Sequence, residues 1–168
     1  CKSPAWMNGE FGIDLITDGG RNVMNSESKT PIGFWIISGL SLLWNAFGAF
    51  DYTMTQTRDA EYLAAFTPEQ RAYFDSFPAW MDAMWALGVW GALAGSVLLL
   101  MRNRHAVTAF GLSLLGLLVS SIWQFGLSDV KASEIMPPAA MYITIFIWVV
   151  AIALFFYARS KRASGLLR

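Results

Sequence analysis

Four long stretches of this chain carry no charged residue and no histidine: Thr30 to Phe50, Ala83 to Met101, Ala106 to Ser128 and Ile135 to Ala158. A helix needs about 20 apolar residues to cross a hydrocarbon core about 30 Å thick. Each stretch reaches that length, alone or with its flanks. A surface helix of a soluble protein keeps a charged face toward water, and these keep none. A chain of 168 residues is too short to enclose four such helices in a soluble core. The reading is therefore all-α: an integral membrane four-helix bundle with spans at about 31–52, 79–101, 106–127 and 136–158. Charged residues make up only 14% of the chain, against roughly 25% in soluble domains.

Lysine and arginine in short loops set the orientation of such a bundle. The link between spans two and three is Arg102-Asn103-Arg104-His105, and the tail carries Arg159, Lys161, Arg162 and Arg168. The first long loop is acidic, with Asp51, Asp59, Glu61, Glu69, Asp75 and Asp82 against Arg58 and Arg71. The expectation is a multi-pass protein of the bacterial inner (plasma) membrane, with both termini cytoplasmic and the acidic loop outside. Zero net charge argues against nucleic acid as a partner; the expected partners are the lipid bilayer and either a second copy of the chain or another membrane protein.

Residues 1–29 have no helical or strand period and read as an irregular segment apart from the four-span domain at 30–168. The first residue is Cys1, which would fit an acylated lipoprotein start, but that places the N-terminus outside, against the basic tail and an even number of spans. Met24-Asn25-Ser26-Glu27-Ser28-Lys29 reads as an ordinary start before a first span, with the preceding segment outside the native chain. Cys1 and His105 are the only cysteine and histidine. An internal disulfide, a CxxC redox pair and bis-histidine haem ligation are thereby excluded, and no cofactor or metal is expected.

In the first loop, Thr67-Pro68-Glu69-Gln70 is a helix start. Thr67 can cap, Pro68 fits the first helical position, and Gln70 can close a capping box. The short amphipathic helix that follows, with Tyr73, Phe74 and Phe77, either anchors at the membrane surface or covers the bundle mouth. Small and polar residues recur at spacings of three and four within the spans: Ser38, Ser41, Asn45 and Gly48; Gly88, Gly91, Gly95 and Ser96; Ser113, Gly116, Ser120 and Gln124. Such stripes are packing seams, because small residues let helix backbones approach closely in lipid. Gly91 and Gly95 match GxxxG and are assigned to helix packing, within the chain or between copies. Span four, rich in Ile, Val and Phe, should be the most lipid-exposed.

Depth adds a candidate ligand site. At 1.5 Å per residue, Asn45 lies roughly 9 Å below Asp51, and Gln124 roughly 6 Å from the outer end of its span. Asp82 is just inside the second span, and Trp44, Trp80, Trp85 and Trp123 share that depth. Two carboxylates, two carboxamides and four indoles could converge on one outward-facing pocket, since polar groups facing a bundle interior mark sites by default. Indole faces beside carboxylates suit sugar C–H faces or organic cations. The competing explanations are structural: indoles gather at membrane interfaces, Asp82 favours a helix N-terminus, and Asn45 and Gln124 can bond between helices.

Phe34-Trp35-Ile36, Leu42-Leu43-Trp44-Asn45-Ala46-Phe47-Gly48, Asp51-Tyr52, Pro78-Ala79-Trp80 and Leu98-Leu99-Leu100-Met101-Arg102-Asn103-Arg104 together carry a resemblance. Over about residues 30–168 the chain resembles a group of small four-span bacterial membrane proteins, some of them labelled sugar transporters. The resemblance implies the four-span architecture and transfers no site residue. Three functional classes fit. The first is a small transporter or solute-binding protein using Asn45, Asp51, Asp82 and Gln124. The second is a non-enzymatic accessory or structural protein packed against a partner. The third is an interfacial enzyme with Asp51 and Asp82 as an acid/base pair, and it ranks last because no nucleophile–base motif accompanies them. Small multidrug exporters also have four spans, but the mid-membrane acid of their first span has no counterpart between Ser41 and Asn45.

Overall fold

The structure is a computed structural model that describes residues 30–168; the expectations for residues 1–29, including a start at Met24, fall outside the described residues. The chain forms α1 (Ile32–Gln56), α2 (Ala60–Leu63), α3 (Pro68–Asp75), α4 (Ala79–Leu100), α5 (Ala106–Ile122), α6 (Ala132–Ile135) and α7 (Pro138–Ala163). A π-helical turn, Trp123–Leu127, continues α5. Helices α1, α4, α5 with its π turn, and α7 are each long and apolar enough to cross a membrane.

Their burial pattern is the reverse of a water-soluble core. Ser38, Ser41, Ser96, Ser113 and Ser120 are buried, while Leu43, Phe47, Val149 and Phe156 are more than half exposed. In water this would leave large apolar patches uncovered; in lipid it puts hydrocarbon outside and small groups at the helix contacts. The protein is a multi-pass membrane bundle. Helix α7 turns Tyr142, Ile143, Ile145, Phe146, Val149, Ile152 and Phe156 outward and buries only Leu154 and Ala158.

Helix α1 packs on α4, α4 on α5, and α5 on α7. The closest approach is between α4 and α5. A Cβ on Gly116 would stand 2.5 Å from the Gly88 amide nitrogen and from the Met84 carbonyl oxygen. A Cβ on Gly91 would meet Ser113 at 3.2 Å, and one on Gly95 would meet the Phe110 ring at 2.8 Å. The small-residue stripes therefore face each other within one chain. Ser113 Oγ crosses the seam and donates to the Gly88 carbonyl.

Helices α1 and α7 close the ring through side chains. Phe34 stacks on Tyr157 at 6.4 Å, and Trp44 meets Phe146 edge-on at 5.1 Å. Two apolar clusters cap this arrangement. One, with Phe34, Leu99, Ala106, Phe110, Leu154, Ala158 and Leu167, lies at the end that holds the α4–α5 link. The other, with Tyr73, Met81, Trp123 and Ala132, lies at the end that holds the long loops. We call these the link end and the loop end. At the link end the tail folds back: the Arg168 amide donates to the Arg102 carbonyl and the Arg104 amide to the Arg168 carbonyl.

Substitution of Gly116 tests the seam. Gly116→Ala should destabilise the protein by about 1–3 kcal/mol, because its methyl group meets backbone that can yield only if α4 and α5 part. Gly39→Ala, where nothing lies within 4 Å, should leave the melting temperature in detergent nearly unchanged.

Candidate binding cavity

A cavity of about 420 Å³ lies between α1 and α7, backed by α4 and α5. This volume is in the range of small-molecule sites. It exists because α1 and α7 each follow a different neighbour and meet only through side chains. Phe110 and Leu154, from the link-end cluster, border it at one end, and Phe74, Phe77 and Trp85 border it toward the loop end.

The roof is built by the first loop. Thr67 accepts from the Gln70 amide and Gln70 Oε1 accepts from the Thr67 amide, so the capping box has both arms and α3 starts where the sequence indicates. The helix packs onto the bundle. Tyr73 is buried, with its ring 5.1 Å from Phe77 and 6.3 Å from Trp123. Phe74 stacks on Trp85 at 6.2 Å. The Arg58–Asp75 ion pair at 2.9 Å also ties α3 down, but both side chains are more than half exposed, so it contributes little beside this aromatic packing. Of the two expectations for this helix, covering the bundle mouth describes its position.

Of the eight candidate site residues, the fold brings five to the cavity: Trp44, Asn45, Asp51, Trp85 and Gln124. Three are elsewhere. Asp82 sits in the first turn of α4 and accepts from Gln56 Nε2 at 3.0 Å. Trp80 is half exposed, turned outward from the same turn. Trp123 is buried behind the roof, against Tyr73 and Phe77. The two carboxylates thus do not share the cavity; among the described residues, Asp51 is the one ionisable side chain lining it. Asp82 shares a helical face with Trp85 but lies one turn nearer the loop end, beyond the cavity, where Gln56 holds its carboxylate.

Asn45 has two roles. Its Nδ2 donates to Ser96 Oγ at 2.8 Å. Ser96 in turn spends its one proton on the Ala92 carbonyl at 3.0 Å, which makes Ser41 the donor in the 2.7 Å pair with Ser96. This network pins α1 to α4. The Asn45 amide oxygen makes no hydrogen bond among the described residues, and neither does the Gln124 carboxamide. No family model, curated protein or solved structure matches this chain.

Sequence reading missed two contributors. The π turn after α5, closed by the Ser128 amide on the Trp123 carbonyl at 2.8 Å, puts Trp123 against the roof and Gln124 and Phe125 into the cavity. Such turns recur at functional sites; here only Gly126 hinted at a break. The other is Tyr62, whose hydroxyl donates to Asp51 Oδ1. Burial, followed by that hydrogen bond and the carboxylate's charge, pushes the Tyr62 phenol up to about 12. Burial alone takes the Tyr73 phenol, which has no hydrogen-bond partner among the described residues, to about 12 as well. Among the described residues no three His, Cys, Asp or Glu side chains gather as a metal site would require.

Two expectations follow from these contacts. Ser96→Ala should cost about 0.6–2 kcal/mol in detergent melts, the range for interhelical hydrogen bonds in membrane bundles. Because the folded phenol of Tyr62 titrates above its unfolded value of 10, its stabilising contribution is complete below pH 10 and disappears as pH rises through about 12. The melting-temperature difference between wild type and Tyr62→Phe should therefore shrink over that window, and Tyr62→Phe should lose one late-titrating phenolate in the alkaline absorbance curve.

Proposed function

We propose that this protein binds a small solute within the bilayer and serves as a transporter or carrier for it. The observation that carries this reading is the convergence of Asn45, Asp51, Gln124, Trp44 and Trp85 on one cavity. Unpaired polar atoms inside a membrane bundle are costly unless something meets them, and among the described residues the Asn45 amide oxygen and the Gln124 carboxamide have no partner. The distribution of Lys and Arg supports an inner-membrane orientation with the loop end outward, so that α3 and Tyr62 form a cover on the outer face. The resemblance to proteins labelled sugar transporters makes sugars one candidate class. The carboxylate and indole rings make organic cations another. With four spans, a transport cycle would call on a second copy.

Gly48 provides the test. It lines the cavity, and nothing lies within 4 Å of where its Cβ would be. Gly48→Leu should therefore fill the cavity and keep the fold. A thermal-shift screen of sugars, organic cations and inorganic ions in detergent should find a compound that raises the melting temperature of wild type. The same compound should leave Gly48→Leu unmoved. Absence of any shift across the panel, or an equal shift in both proteins, counts against the cavity as a binding site and favours an accessory protein packed against a partner.

A further inference from the structure

The shape and lining of the cavity define a narrower ligand class than solutes in general. It runs along α7 from Ile143 to Leu154, which is roughly 16 Å at the helical rise. A volume of about 420 Å³ drawn out over that length makes the cavity elongated, with room for an extended alkyl chain along it.

Polarity is sorted by depth. Toward the link end the walls are Ala92, Phe110, Leu117, Val150, Ala151 and Leu154. Three hydroxyls in the lining already donate within the protein, Ser113 to the Gly88 carbonyl, Ser120 to the Gly116 carbonyl and Thr144 to the Ala140 carbonyl, while Ser121 accepts from Trp148 Nε1 and keeps its own proton. Of the groups still free to meet a ligand, the Asn45 amide oxygen lies mid-cavity, level with Ala92 and Ser96, while the Ser121 hydroxyl, the Gln124 carboxamide and the Asp51 carboxylate lie nearer the loop end.

The mouth faces lipid. Phe47 and Ile143 line the cavity, yet they are 68% and 56% exposed on the outer surfaces of α1 and α7. Between them the two helices are bridged by the Trp44–Phe146 contact. A ligand dissolved in the bilayer can reach the cavity sideways by displacing one ring. At the loop end Asp51 lines the cavity together with the Trp85, Phe74 and Phe77 rings, and aromatic faces attract cations.

On the reading that the cavity binds a ligand, we propose that the ligand is a membrane-dissolved amphiphile with one alkyl chain and a cationic, ammonium-type head. The chain lies between α1 and α7. The head rests at Asp51 under the aromatic roof of α3.

Saturable binding of radiolabelled dodecyltrimethylammonium to the full chain in maltoside micelles tests this. Wild type should bind saturably. Butyltrimethylammonium should compete at least tenfold more weakly than the unlabelled dodecyl compound, and dodecanoate should not compete. Asp51→Asn, which keeps an acceptor for Tyr62, should bind at least tenfold more weakly, and Gly48→Leu should not bind. Equal competition by the butyl compound would overturn the alkyl-chain assignment while leaving a solute site standing. Competition by dodecanoate, or undiminished binding to Asp51→Asn, would overturn the cationic head. Absence of saturable binding would overturn the proposal, and a sugar or ion that still stabilised wild type but not Gly48→Leu would show that the cavity serves another class.

Discussion

At Gly116 the backbone of α5 lies against α4 so closely that a single methyl group has no room. The rest of the bundle depends on this contact. In lipid, apolar side chains gain nothing by leaving their surroundings, so helices associate through close packing and a few hydrogen bonds. Glycine and serine on both faces of the α4–α5 seam supply the close packing. The Ser113 hydroxyl adds a bond across it. The pair forms a wall, and α1 and α7 stand on the same face of it, α1 along α4 and α7 along α5.

That arrangement creates the cavity. Helix α1 is drawn to α4 by the Ser41–Ser96–Asn45 network, and α7 follows α5, with the Trp148–Ser121 bond among its attachments. No comparable small-residue seam joins α1 to α7. Bulky rings span their gap instead, and rings hold helices apart as well as together. The space left over is bounded by an apolar cluster at each end of the bundle. Helix α3, fixed by its capping box and by Tyr73, lies over the loop end.

The helix ends show how the loops are directed. Arg58 and Arg102 adopt left-handed backbone angles, with φ of 54° and 57°, where most helices use glycine. Each closes its helix with a reversed hydrogen bond, from the Asp59 amide to the Met54 carbonyl and from the Asn103 amide to the Leu98 carbonyl. At the link end the strained Arg102 is held in the tail clasp, where Arg168 donates to its carbonyl and its own Nε donates to the Leu166 carbonyl at 3.3 Å.

Several features were decided by the sequence alone. Uncharged stretches of membrane length dictate spanning helices, because each unmet backbone polar group in hydrocarbon costs several kcal/mol. Thr67, Pro68 and Gln70 specify the start of α3 through purely local hydrogen bonds. Spacings of three and four mark the seams, since helical periodicity is fixed by backbone geometry. The site was only partly legible. Depth along a helix follows from residue count, so Asp51 and Gln124 could be placed toward a common end, with Asn45 six residues deeper than Asp51. Direction around a helix, and which helix stands opposite, depend on contacts between residues far apart in the chain. Those contacts separate Asp82 from Asp51, put Trp123 behind the roof rather than in the cavity, bring Tyr62 to Asp51, and insert the π turn that aims Gln124 inward.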